Sequence, residues 1–223
     1  MQSFKEFVYE NNKSLNEMVT AVYGDWNSEK ESLGSISETV LELYYIEIDK
    51  LLINDSKYSL YKMNSNKDNE YYLLGYFQSK VDPESKTQQE KIRFYIVLQF
   101  KLTHLPEVEQ AFNLKNVFNC DEVEVSKKFR GQGISKFIYS YFAKKIKYNL
   151  VSDEQQYFGA RKLWASMSEV KNIIVDIFDI KTLQYIEKSV ELKHGPDDWE
   201  FDSRIYSYDI DKKDIRMIMK SIN

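Results

Sequence analysis

The chain has 223 residues, 43% hydrophobic and 30% charged, enough apolar side chain for one core with an appendage and too short for two large independent domains. Against 35 acidic residues stand 31 basic ones, a net charge of −4, so no global field holds a polyanion such as nucleic acid, and a cationic acceptor suits the balance better. One cysteine and two histidines exclude an internal disulfide and a thiolate- or histidine-rich metal site, and no run approaches the roughly 20 apolar residues of a membrane span. The expected compartment is a reducing cytoplasm, since the start "MQSFKEFVYENNK" has no apolar signal core.

Phe4, Phe7, Val8, Leu15, Met18, Val19 and Val22 fall at helical spacings, which predicts an amphipathic first helix over 4–22. After a polar stretch with Gly24, Asp25, Asn27 and Gly34, Ser35 with Glu38 three residues on has the form of a capping box and predicts a second helix to about Ile53. Residues 1–55 are therefore expected to be a helical segment packed on a core domain of 56–223. Stretches 58–63, 71–77 and 92–102 are rich in aromatic and β-branched residues and are separated by polar turns, as in an antiparallel meander. "THLPEVEQAFNLKNVFN" reads as a short helix and loop, with His104 a turn residue in it. In "CDEVEVSKKF", Val123 and Val125 alternate with Glu122 and Glu124 as in a half-buried strand. "ISKFIYSYFAKKI" reads as a helix, "YNLVS" as a short strand, "YFGARKLWASMSEV" as a helix, and "NIIVDIFDI" and "RIYSYDI" as closing strands. The plan is α+β, a mixed and mainly antiparallel twisted sheet flanked by helices.

The chemistry is expected in "DEVEVSKKFRGQGISKFIYSYF". A strand, a turn with Gly131 and Gly133 and an immediate helix start present unpaired amides and the positive end of a helix dipole, which suits a phosphate or pyrophosphate. Arg130 opens the turn and can brace the loop or pair with a phosphate oxygen. Read without context, the same glycines equally describe a tight strand-to-helix turn, and neither the Walker nor the dinucleotide pattern is present.

In context the segment resembles the GNAT family of acetyl-CoA-dependent N-acetyltransferases. The signature R/Q-x-x-G-x-G/A reads here Arg130, Gly131, Gln132, Gly133, Ile134, Ser135, with Val125 five residues before the arginine and Ser in the last place. The resemblance covers residues 121–142 and weakens beyond them. It implies a coenzyme A pyrophosphate on the amides of Arg130, Gly131, Gln132, Gly133, Ile134 and Ser135, and a pantetheine arm paired with the backbone of Val123, Glu124 and Val125, which lie on a strand splayed from "YNLVS". It also implies acetyl-CoA as cofactor and an amine acceptor, a small molecule or a protein. The family's usual tyrosine acid is replaced in "ARKLW" by Trp164, whose indole supplies no such proton, leaving Ser152, Tyr157 or water.

Glu122 is the expected general base, with Asp121 and Asp153 in reserve and a solvent-facing strand residue as the plainer reading of Glu122. Cys120 has no base near it in sequence and reads as an inert buried thiol. His194 reads as a turn residue, "KHGPDDWEFD" as a solvated loop that can also flank a cationic acceptor, and Tyr71, Tyr72, Tyr76, Phe94 and Tyr95 as packing. The alternative to an enzyme is the same fold without effective chemistry, acting as a coenzyme A-binding or protein-contact module, of the kind found in phages and mobile elements.

Overall fold

The computed structural model describes residues 33–64, 69–81, 90–154, 158–192 and 214–222. The expected helix over 4–22, the closing strand "RIYSYDI", Tyr157 and His194 lie outside the described residues. The chain is α+β with a mixed, mostly antiparallel sheet, and it divides into two compact units.

The first unit holds the described residues within 1–64, 73–99 and 125–130. It begins with β1 (Ser35–Ser37), α1 (Glu38–Tyr44), β2 (Tyr45–Ile53) and β3 (Ser56–Met63), followed by most of β4 (Asn69–Val81) and β5 (Glu90–His104). The strand order is β2-β3-β4-β5, with β1 antiparallel to β5. The helix expected over 35–53 is thus corrected: it is one short helix between two strands. Ser37, not Ser35, is the N-cap, its hydroxyl accepting from the Val40 amide at 3.4 Å, while the Ser35 hydroxyl accepts from Arg93 Nε at 2.8 Å. Aromatic and β-branched residues from Tyr44 to Ile48 favour a pleated strand, and pairing with β3 buries Leu51 and Ile53. Asn54 and Asp55, both at positive φ, form the two-residue turn that matches strand twist, so the boundary expected at 55/56 falls inside a hairpin. Gly75 is required by close approach, since a Cβ there would stand 2.2 Å from the Tyr95 carbonyl oxygen.

The second unit holds the described residues within 65–72, 100–124 and 131–223. After the remaining parts of β4 and β5 come α2 (Pro106–Phe112), β6 (Val117–Val125), α3 (Ile134–Tyr141), a π-helical turn (Phe142–Ile146), β7 (Asn149–Val151) and α4 (Phe158–Ser168). β8 (Ile173–Asp179), β9 (Gln184–Glu187) and β10 (Ile215–Ser221) complete it. The order is β4-β5-β6-β7-β10-β8-β9, and β6 and β7 are parallel. β9 and β10 stand beyond the strands the sequence predicts, and β10 is central, with Met217, Ile218 and Met219 fully buried. Val108, Val117, Val151, Phe178 and Ile218 form one core cluster. Tyr72 stacks on Phe100, and Phe142 meets both rings edge-on. His104 is not a loop residue: it ends β5, and its Nε2 lies 2.9 Å from Glu109 Oε1, which also accepts from the Val117 amide at 2.8 Å.

Candidate functional site

The parallel ladder between β6 and β7 has only the pairs Val117↔Asn149, Phe118↔Leu150 and Asn119↔Val151. Past Val151 the chain is tied to β10 instead. The Ser152 amide donates to the Met217 carbonyl at 2.9 Å, and the buried Ser152 hydroxyl accepts from the Met217 amide at 3.0 Å. β6 continues from Cys120 to Val125 without β7 beside it, and the buried Ser126 amide then donates to the Val97 carbonyl at 2.9 Å. The clean alternation expected of 121–125 is absent, because all five side chains are half-buried, valines and carboxylates alike.

A turn of 3-10 helix over Lys127–Phe129 leads to the glycines. Arg130 Nε donates to the Val125 carbonyl at 2.9 Å, so this side chain braces the end of β6. Gly131 (φ +76°) and Gly133 (φ +74°) occupy left-handed backbone that costs other residues roughly 1–2 kcal/mol. Both are exposed, and a Cβ on either would meet no heavy atom within 4 Å. Glycine is needed here for backbone shape, and the space over the turn is open. Gly133 is the N-cap of α3 and offers no side-chain cap, while buried Ile134 anchors the helix start. The first amides of a helix have no intrahelical partner, so those following Gly133 carry the positive end of the dipole.

Polar side chains gather where β6 leaves β7. Asp121 accepts from the Thr103 hydroxyl and from Asn119 Nδ2 and lies 3.6 Å from Lys101 Nζ. Those bonds fix it as a brace. Glu122 is freer, 39% exposed with Lys101 Nζ at 3.8 Å. Burial pushes its carboxyl above the ordinary value, against the pull of Lys101 and with help from the charges of Asp121 and Asp153. Asp153, just past β7, accepts from the Glu154 amide at 2.6 Å and is likewise pushed up, chiefly by burial. Like-charged carboxylates under partial burial are harder to ionise and hold a proton closer to neutrality.

Cys120 is buried, and burial pushes its thiol up to about 12, which keeps it an inert thiol rather than a nucleophile. Trp164 is buried and meets Tyr139 edge-on at 6.0 Å, an ordinary core contact. Tyr76 and Tyr95 stack at 5.8 Å, and Phe94 and Tyr72 are likewise engaged by neighbouring rings. Lys101 and Thr103, which meet Asp121 across the sheet, carry no local signal of that role in the sequence.

Among the described residues no group of three or more His, Cys, Asp or Glu side chains could hold a metal ion, and no helix is long and apolar enough to cross a membrane. No family model, no curated protein and no solved structure matches the chain.

Proposed function

We propose that the protein binds acetyl-CoA and transfers its acetyl group to an amine by direct attack within a ternary complex. The observation that carries this reading is the early parting of β6 from β7, with β6 running on into an open two-glycine turn that caps α3. The stretch of β6 that has parted from β7 suits an extended amide-bearing arm laid along Val123, Glu124 and Val125. The pyrophosphate sits on the turn from Gly131 to Ser135, with Arg130 holding the loop to Val125. Glu122 takes a proton from the acceptor's ammonium, leaving a neutral amine to attack, and the upward shift of its carboxyl makes it a stronger base for that work.

Ligand that binds only the folded chain raises its melting temperature in a concentration-dependent way. Acetyl-CoA is expected to do so with the full-length protein, and Gly133→Val, which places a branched side chain over the helix amides, is expected to abolish the shift. No shift in the wild type, or an equal shift in the variant, would overturn the assignment. A second reading, coenzyme A or protein binding without chemistry, draws on Trp164, which is sealed in the core where the resemblance places a proton donor. Turnover on any amine decides against it.

A further inference from the structure

We infer that Lys101 is the positioning residue that keeps Glu122 ionised and in place to act as base, an assignment that rests on the acetyl-transfer reading above. Lys101 stands on β5, the strand beside β6. Its Nζ lies 3.6 Å from the Asp121 carboxylate and 3.8 Å from that of Glu122. Both distances exceed those of an N–H···O hydrogen bond, so the ammonium acts on the two carboxylates as a charge. Asp121 and Glu122 are consecutive on β6 and leave it on opposite faces, so an ammonium close to both also sets where the longer Glu122 side chain lies.

Holding the fold together does not account for this lysine. Asp121 is already fixed by the Thr103 hydroxyl and Asn119 Nδ2, and an ion pair that solvent still reaches contributes little to stability. Lys220, by contrast, bonds the buried Asp176 directly. What remains is the effect of Lys101 on the Glu122 proton. Glu122 is faced by Lys101 from β5, by Asp121 on β6 itself and by Asp153 from beyond β7, while Arg216 of β10 faces Asp153. Burial pushes the Glu122 carboxyl up, Lys101 pulls it down, and Asp121 and Asp153 add to the effect of burial.

In the step, the Glu122 carboxylate takes one proton from the acceptor's ammonium, becomes the neutral acid and later returns that proton to solvent. The free amine nitrogen bonds to the acetyl carbon, the carbon–sulfur bond breaks with its electron pair on sulfur, and the second proton the nitrogen gives up passes through solvent to make the free thiol. Lys101 keeps its protons throughout. Its charge sets the fraction of Glu122 that is ready to accept. Without that charge the carboxyl holds its own proton to higher pH, so the loss of rate is largest on the acid side and fades as pH rises.

The test uses full-length protein with Lys101→Met, which keeps the stem and removes the charge, and Lys101→Arg, which keeps the charge. Carbon-13 NMR follows the glutamate carboxyls through a pH titration, with the Glu122 signal assigned by its absence in Glu122→Gln. The Glu122 midpoint is expected to lie higher in Lys101→Met than in wild type and to return toward the wild-type position in Lys101→Arg. With acetyl-CoA, and n-butylamine or a lysine-bearing peptide as acceptor, kcat/KM of Lys101→Met relative to wild type is expected to fall by about 10-fold near pH 6 and to recover toward about pH 8, while acetyl-CoA affinity changes by less than about two-fold. Taking the ratio cancels the amine's own titration. The inference is overturned by an unmoved Glu122 midpoint in Lys101→Met, by a loss of rate that is the same at every pH, or by an equal loss in Lys101→Arg. Failure of acetyl-CoA to bind, or no turnover once it is bound, overturns instead the reading beneath, and the titration, which needs neither cofactor nor acceptor, tells the two failures apart. If Lys101→Met does not fold, Lys101→Gln carries the same test.

Discussion

Strand β10 pairs with β8 without interruption from Ile215↔Asp179 to Ser221↔Ile173, whereas β6 pairs with β7 only as far as Asn119↔Val151, and the two ladders hold their carboxylates differently. On the closed ladder Asp176 is 1% exposed and fully engaged, by Lys220 and by the Ser189 amide at 2.8 Å. Beside the open one, Glu122 and Asp153 are partly exposed and shifted upward by burial. A buried carboxylate with its partners in place has no capacity left for chemistry, while a half-buried one with weak partners can exchange a proton. The comparison separates residues that hold this unit together from those available to a ligand.

The largest expected effect breaks the closed side. Asp176→Ala leaves Lys220 without its partner and the Ser189 amide without its acceptor, and urea unfolding should show a loss of about 3–5 kcal/mol. The same change should leave acetyl-CoA affinity in the surviving folded protein unaltered.

The next acts on the open side. Glu122→Gln should lower turnover by about 10² at neutral pH, with partial recovery as pH rises and free amine accumulates. Its effect on stability has the opposite sense. The folded carboxyl holds its proton more tightly than the unfolded one, so the native state loses stability as pH rises through the raised folded value. Glu122→Gln lacks that titration. Wild type should therefore gain stability relative to the variant on acidification from neutral pH toward the ordinary glutamate range. Melting curves of both proteins over that range check the sign.

A smaller effect is expected at the junction. Ser152→Ala removes the hydroxyl that accepts from the buried Met217 amide, at a cost of about 1–3 kcal/mol. It also loosens the point that turns the chain from β6 toward β10, so amide exchange at Met217 should speed up more than at Val175 on the closed ladder.

The closed and open regions were legible in the sequence to different degrees. Tyr58, Leu60, Tyr72 and Phe94 announce β3 to β5 because aromatic and branched residues serve the meander's local pairing. Gly131 and Gly133 announce the turn because left-handed backbone restricts the residue type. Residues 45–53 misled because Ile46, Ile48, Leu51 and Leu52 fit either period, and only pairing with β3 decides between them. β10 escaped notice because "IRMIM" is a short run with an arginine inside it, and Arg216 is itself buried, its charge opposed by Glu154 at 3.7 Å. The length of the β6–β7 ladder could not be read from β6 at all. It is set by the Ser152 hydroxyl bonding a strand 65 residues later in the chain.

The central claim is that acetyl-CoA lies along the part of β6 that β7 leaves. Hydrogen exchange by mass spectrometry, with and without saturating acetyl-CoA, tests it most directly, because exchange reports protection segment by segment. Slowed exchange is expected over 120–125 and at the start of α3 from Ile134, with β8 and β10 unchanged. Protection confined to other segments, or none despite saturating acetyl-CoA, would contradict it.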